Sequence, residues 1–282
     1  MAGKKVPRAK VRLFPPPPKG FDALAATKKE LTRHGIPQRP DPRTQPGVAA
    51  LWERLARRYQ NFEHLQPKLI LPDKPLKPVE GLFALFPQES CGFELFNNAP
   101  ITIFSGTWTI PNLNNTPNSG LPNAFRTFFG LGFLDVHVEM TVDVNQNVTS
   151  VIRIHTGEQV DLPVKPGDAI NATLCLQTNS AGTAFYGLAN ETTSQRVNFT
   201  FDTGFPPAVT INAGISRGSQ FGGPFDPLAK FGVVYFDDLA AFTPNGNRSL
   251  LDGVPTTMTD SAGSILAIPQ RISDLAFRVV RR

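Results

Sequence analysis

Residues 101–111 read ITIFSGTWTIP, an extended run of β-branched and aromatic residues closed by proline and followed by the polar NLNNTPNSG. The same grammar continues downstream. In 133–144, Val136, Val138, Met140, Val142 and Val144 alternate with His137, Glu139, Thr141 and Asp143, the pattern of a strand with one face buried and one polar. In 148–155, Val148, Ser150, Ile152 and Ile154 alternate with Thr149, Val151, Arg153 and His155. Further strands are predicted over 82–86, 92–96, 125–129, 169–177, 183–188, 196–201, 208–215, 231–236, 265–269 and 275–280. Such short runs, separated by Asn, Gly and Pro turns with no helical period between them, predict an all-β sandwich or open barrel.

The first 80 residues follow other rules. Residues 1–19 carry a basic, polyproline-like tail with no apolar periodicity to fold around, and are expected to be disordered. A helix is predicted over 21–34, capped by Asp22 and stopped by Gly35. A second over 48–59 spaces Val48, Leu51, Trp52, Leu55 and Tyr59 along one stripe. These short helices need a partner surface, either the main domain or a second copy, and 66–78 reads as extended cover for a sheet edge. The chain therefore divides into a 1–80 extension and an 81–282 β domain.

Charge sharpens that division. Residues 1–80 hold 17 Lys or Arg against 7 Asp or Glu, whereas 81–282 hold 11 against 16. The basic character belongs to the arm, which gives no ground for a specific nucleic-acid partner. No window is apolar enough to span a membrane. The N-terminus lacks a secretory leader pattern, so a cytoplasmic location or leaderless export is expected. The 2 cysteines, Cys91 and Cys175, read as buried free thiols. Most of the 22 phenylalanines should be core; Phe128, Phe129 and Phe133, bunched around glycines, are candidates for lining a groove.

Four segments resemble the glutamic peptidases, or eqolisins. Residues 105–111, SGTWTIP, are similar to that family's SGTWxVP strand, and 164–170, VKPGDAI, to its V-x-x-GD-x-I turn. Residues 189–197, ANETTSQRV, resemble its N-x-T-T-G-Q-x-V hairpin, and Pro224-Phe225 with 231–236 resemble its closing strands. The resemblance implies a sandwich of two strongly bent antiparallel sheets, concanavalin A-like or jelly-roll in type, with an active groove on the concave side. It also implies a Glu acting as general base on water and a Gln that stabilises the tetrahedral intermediate with it, without a cofactor or metal.

This chain departs from that pattern at the chemistry. The position of the Gln falls on Asp135, and that of the Glu on Gly214, which has no side chain to offer. The acidic residue of a third groove strand falls near Arg153, and the groove tryptophans fall on Phe128, Ile152, Ile154 and Ile215. Trp108, Phe128, Phe129, Phe133, Arg153 and His155 are the expected groove lining. Asp135, His137 and Glu139 share one strand face, so His137 and Glu139 are candidate replacements for acid–base work, with Arg153 and His155 across from them. No metal or nucleotide motif occurs.

Three functions compete on this reading. The first is a non-catalytic groove holding a peptide, glycan or protein partner. The second is an acid endopeptidase using Asp135 and another carboxylate, with the basic arm as a propeptide over the groove. The third is a structural module that forms oligomers through the N-terminal helices.

Overall fold

The computed structural model describes residues 10–71, 85, 88–116, 123–177, 183–217 and 227–282. Residues 1–9 of the tail, nearly all of the strand predicted over 82–86 and the Pro224-Phe225 match lie outside the described residues.

In chain order the first strands are β1 (Lys10–Leu13), β2 (Glu63–His64), β3 (Leu69–Ile70), β4 (Ser90–Phe96), β5 (Ile103–Thr109), β6 (Leu113–Asn114) and β7 (Asn123–Leu131). They continue with β8 (Leu134–Val142), β9 (Val148–Ile154), β10 (Gln159–Val160), β11 (Ala169–Gln177), β12 (Thr183–Asn190), β13 (Gln195–Asp202) and β14 (Thr210–Ser216). The last are β15 (Lys230–Phe231), β16 (Val233–Thr243), β17 (Gly246–Arg248), β18 (Val254–Thr256), β19 (Met258–Thr259), β20 (Ile265–Arg271) and β21 (Phe277–Arg281). Helices α1 (Lys28–Arg33) and α2 (Pro46–Arg58) interrupt the arm.

Two sheets make a sandwich. The eleven-stranded sheet runs β1-β13-β12-β11-β5-β16-β21-β20-β19, with β2 beside β13 and β17 beside β16. The eight-stranded sheet runs β18-β4-β14-β7-β8-β9-β10-β3. Strand phase decides what lies between them. From β5, Phe104, Gly106 and Trp108 point inward; from β8, Val136, Val138, Met140 and Val142 do, all of them fully buried. A Cβ on Gly106 would come within 2.8 Å of Phe129 Cε2 and 2.7 Å of Leu239 Cδ2. Its absence makes room for the Phe129 ring, which stacks on Phe104 at 3.9 Å between centroids.

The arm is more ordered and more attached than the sequence suggests. Lys10–Leu13, expected to be disordered, pairs with the margin of β13, whose free hydrogen-bonding groups supply the order the tail lacks by itself. The first helix starts at Lys28, not near Asp22. Thr27 and Glu30 form a capping box there, while Asp22 only closes a local turn through Leu24 N–H at 2.9 Å. Gly35, at φ +63°, ends it as expected. Helix α2 begins at Pro46 and lays Val48, Leu51 and Trp52 toward the outer face of the eleven-stranded sheet. Its basic end meets acidic groups of the β domain: Arg58 bonds Glu191 at 2.5 Å and Asp238 at 2.8 Å, and Arg54 lies 3.5 Å from Asp238. Strands β1 and β2 and helix α2 thus attach to the sheet opposite the one that carries Asp135, while β3 pairs with β10 of the latter.

Candidate functional site

The outer face of the eight-stranded sheet carries polar side chains because its alternate residues have been spent on the core. Strand pairing aligns them in rows. Glu94, Asn212, Gly130 and Asp135 stand side by side on β4, β14, β7 and β8. The next row is Gly92, Gly214, Phe128, His137 and Arg153, and the one after it Ser90, Ser216, Arg126, Glu139 and Val151.

Asp135 is buried, and its Oδ2 lies 2.5 Å from His137 Nδ1. Its carbonyl accepts from His155 N–H at 3.0 Å. One row pair further along, Glu139 accepts from Arg126 at 3.1 Å and lies 3.6 Å from Arg153 Nε. Arg153 therefore does face this cluster. His155 turns away: its Nδ1 lies 2.6 Å from the Tyr186 hydroxyl, and its ring packs against Phe201 and Phe205. Burial pulls the His155 imidazole down to about 4, against the opposing charge of Asp135. Burial likewise pushes the Tyr186 phenol well above its usual value.

Glu94 was not among the candidates read from the sequence. It is buried in a strand otherwise apolar at Phe93 and Leu95, and burial raises its carboxyl above the ordinary range, with hydrogen bonds from Leu85 N–H and the Asn212 side chain opposing. A Cβ on Gly130 would lie 2.5 Å from Asn212 Oδ1, so the Asn212 carboxamide overhangs Gly130 on the side of Asp135. Glu94 and Asn212 thus form an acid–amide pair on the same face as Asp135 and His137. A lone acid flanked by Phe and Leu is the one signal the sequence offers; that β4 neighbours β14 is not visible there, since residues 97–209 lie between the two strands.

Gly214 has no room for a side chain. A Cβ there would sit 2.2 Å from Cys91 O and 2.9 Å from Gly92 Cα, and one on Gly92 would sit 2.1 Å from Ala213 O. Strands β4 and β14 meet glycine on glycine.

Several expected groove residues lie elsewhere. Trp108 is 1% exposed in the core, its Nε1 donating to Thr127 Oγ1 at 2.8 Å, and Phe129 is fully buried beside it. Ile152, Ile154 and Ile215 are core as well; only Phe128 of those four positions faces outward. The reason is phase: on one strand, neighbours of a core residue must face the other way. Phe133 stands at the β7–β8 turn against Phe205. Both cysteines are free, their thiols pushed up to about 12 by burial. Among the described residues no cluster of His, Cys, Asp and Glu suits a metal ion.

The sequence profile of the peptidase A4 family matches residues 88–270. The chain belongs to the peptidase A4 family. Two solved structures show where its fold is shared. Scytalido-glutamic peptidase with a transition state analog inhibitor superposes at a TM-score of 0.53 and 15% identity, covering 72% of this chain and 100% of that one. SCP-B, an eqolisin in complex with the tripeptide Ala-Ile-His, superposes at 0.54 and 15% identity with the same coverage. No curated protein matches by sequence. The peptidase A4 match spans the whole of β4 to β19, and so includes every row of the polar face.

Proposed function

We propose that this chain is a non-catalytic member of the peptidase A4 family that holds an extended peptide on the outer face of its eight-stranded sheet. The observation that carries the reading is Gly214, where the resemblance places the base and where the backbone of Cys91 and Gly92 occupies the space of a side chain. Hydrolysis by the family's route needs a carboxylate there to take a proton from water. What the face retains suits binding: an Asp135–His137 pair, the Arg126–Glu139–Arg153 ion cluster and an outward Phe128. That two fold relatives hold a tripeptide and a transition state analog inhibitor makes a peptide the favoured occupant.

The Glu94–Asn212 pair favours a second reading, an acid endopeptidase whose acid lies on β4 and whose amide stands two residues from Gly214 on β14. One experiment separates the two. Unfolded casein is incubated with the protein from about pH 2 to 7, and binding of a labelled casein fragment is followed by anisotropy. The first reading expects saturable binding weakened by Asp135→Ala, and no cleavage. Acid-dependent cleavage that disappears in Glu94→Gln would establish the second, and absence of binding with absence of cleavage would remove both.

A further inference from the structure

A cavity of about 120 Å³ lies between α2 and the outer face of the eleven-stranded sheet, on the side of the molecule away from Asp135. Its walls are mainly apolar: Val48, Leu51, Trp52 and Leu55 from the helix, Ile103 and Phe185 from the strands beneath. At one end it meets Arg196 of β13. Among the described residues no carboxylate pairs with this guanidinium. Nη2 donates to the neutral Asn198 Oδ1 at 2.9 Å, and the guanidinium carbon lies 4.7 Å from the centroid of the Tyr59 ring. Nε is buried with no acceptor. The carboxylates in this neighbourhood are committed elsewhere, Glu191 to the Tyr59 hydroxyl at 2.8 Å and to Arg58, and Glu63 to Gln195 Nε2 at 2.8 Å. His64, paired with Arg196 across β2 and β13, offers no negative charge either.

A cation without a counter-ion beside apolar walls is unfavourable, and an anion delivered on an apolar body would satisfy both features. An apolar cavity of roughly 150 Å³ is large enough for benzene, which sets the scale of that body at a single ring. We propose that this cavity is a binding site for a small aromatic monocarboxylate, its ring between α2 and the sheet and its carboxylate on Arg196. Burial pulls the Arg196 pKa down to about 10, as expected for a guanidinium still lacking such a partner, and it stays charged at neutral pH.

The test uses the full chain and three probes of one shape: phenylacetate, phenylacetamide and phenethylamine. Binding is read by titration calorimetry and by the fluorescence of Trp52, which lines the cavity. Phenylacetate should saturate and bind about tenfold more tightly than phenylacetamide, the scale of one charge-assisted hydrogen bond, with phenethylamine not binding. Arg196→Gln should erase the preference for the acid. Ala56→Leu, which fills the cavity from the helix side and leaves Arg196 in place, should abolish binding of all three while the far-ultraviolet circular dichroism is retained. Equal affinity for the acid and the amide, or no saturable binding of phenylacetate to the wild-type chain, overturns the proposal.

Discussion

Gly92 and Gly214 stand directly opposite one another on β4 and β14, each filling the space that a Cβ on the other would need. Neither position has room for a side chain while β4 and β14 stay paired, and the neighbouring polar row carries the Glu94–Asn212 pair.

Gly214→Glu should therefore fail to install peptidase activity. Its Cβ would lie 2.2 Å from Cys91 O, a backbone atom that can yield only by parting β4 from β14. Gly214→Ala meets the same obstacle, and urea unfolding should show a loss of at least about 1–3 kcal/mol for either variant. An unchanged midpoint would mean that the strands separate freely.

Adjacent phenylalanines should respond in opposite ways. Phe129→Ala empties a site stacked between Phe104 and Trp108 and should cost about 3–5 kcal/mol in thermal or denaturant unfolding. Phe128→Ala lies on the outer face and should change stability far less while weakening peptide binding. Equal stability losses would place both rings in the core.

Stability should fall on acidification between about pH 6.5 and 4. The folded state holds His155 neutral down to about 4 and His64 to about 3, both through burial, whereas the unfolded chain takes up protons from its ordinary value of 6.5. The unfolded state thus binds more protons across that window, and folding loses ground as pH drops. His155→Gln should flatten the pH dependence of the unfolding midpoint; an unaltered slope would show that His155 titrates normally.

Glu94→Gln should stabilise the protein at neutral pH. The raised folded pKa of Glu94 means that ionisation is disfavoured in the fold, so a neutral isostere gains above the ordinary carboxylate range and gains nothing below it. Comparing melting temperatures at acid and neutral pH measures this, and a destabilised variant at neutral pH would mean that the charge is wanted.

Much of the scaffold was legible. Residues 169–177 form β11 with the bounds expected, and the stripe on 48–59 is the buried side of α2. The strand expected to end at Phe236 runs on to Thr243, because Asp237 and Asp238 form a bulge, with Asp238 at φ +54°, that reads in sequence as a turn. The groove was harder. Phe128 and Phe129 cannot both face it, and only the phase fixed by Gly106 and Phe104 on the other sheet decides which does. Glu94 and Asn212 become a pair only through the pairing of β4 with β14, strands far apart in the sequence.

The short arm strands reach both layers: β1 and β2 lie along β13, while β3 lies along β10 of the other sheet. A version of the protein starting after them would present two raw sheet margins to its neighbours in solution, an invitation to strand-to-strand aggregation. The extension thus acts as a hem along a margin of each sheet.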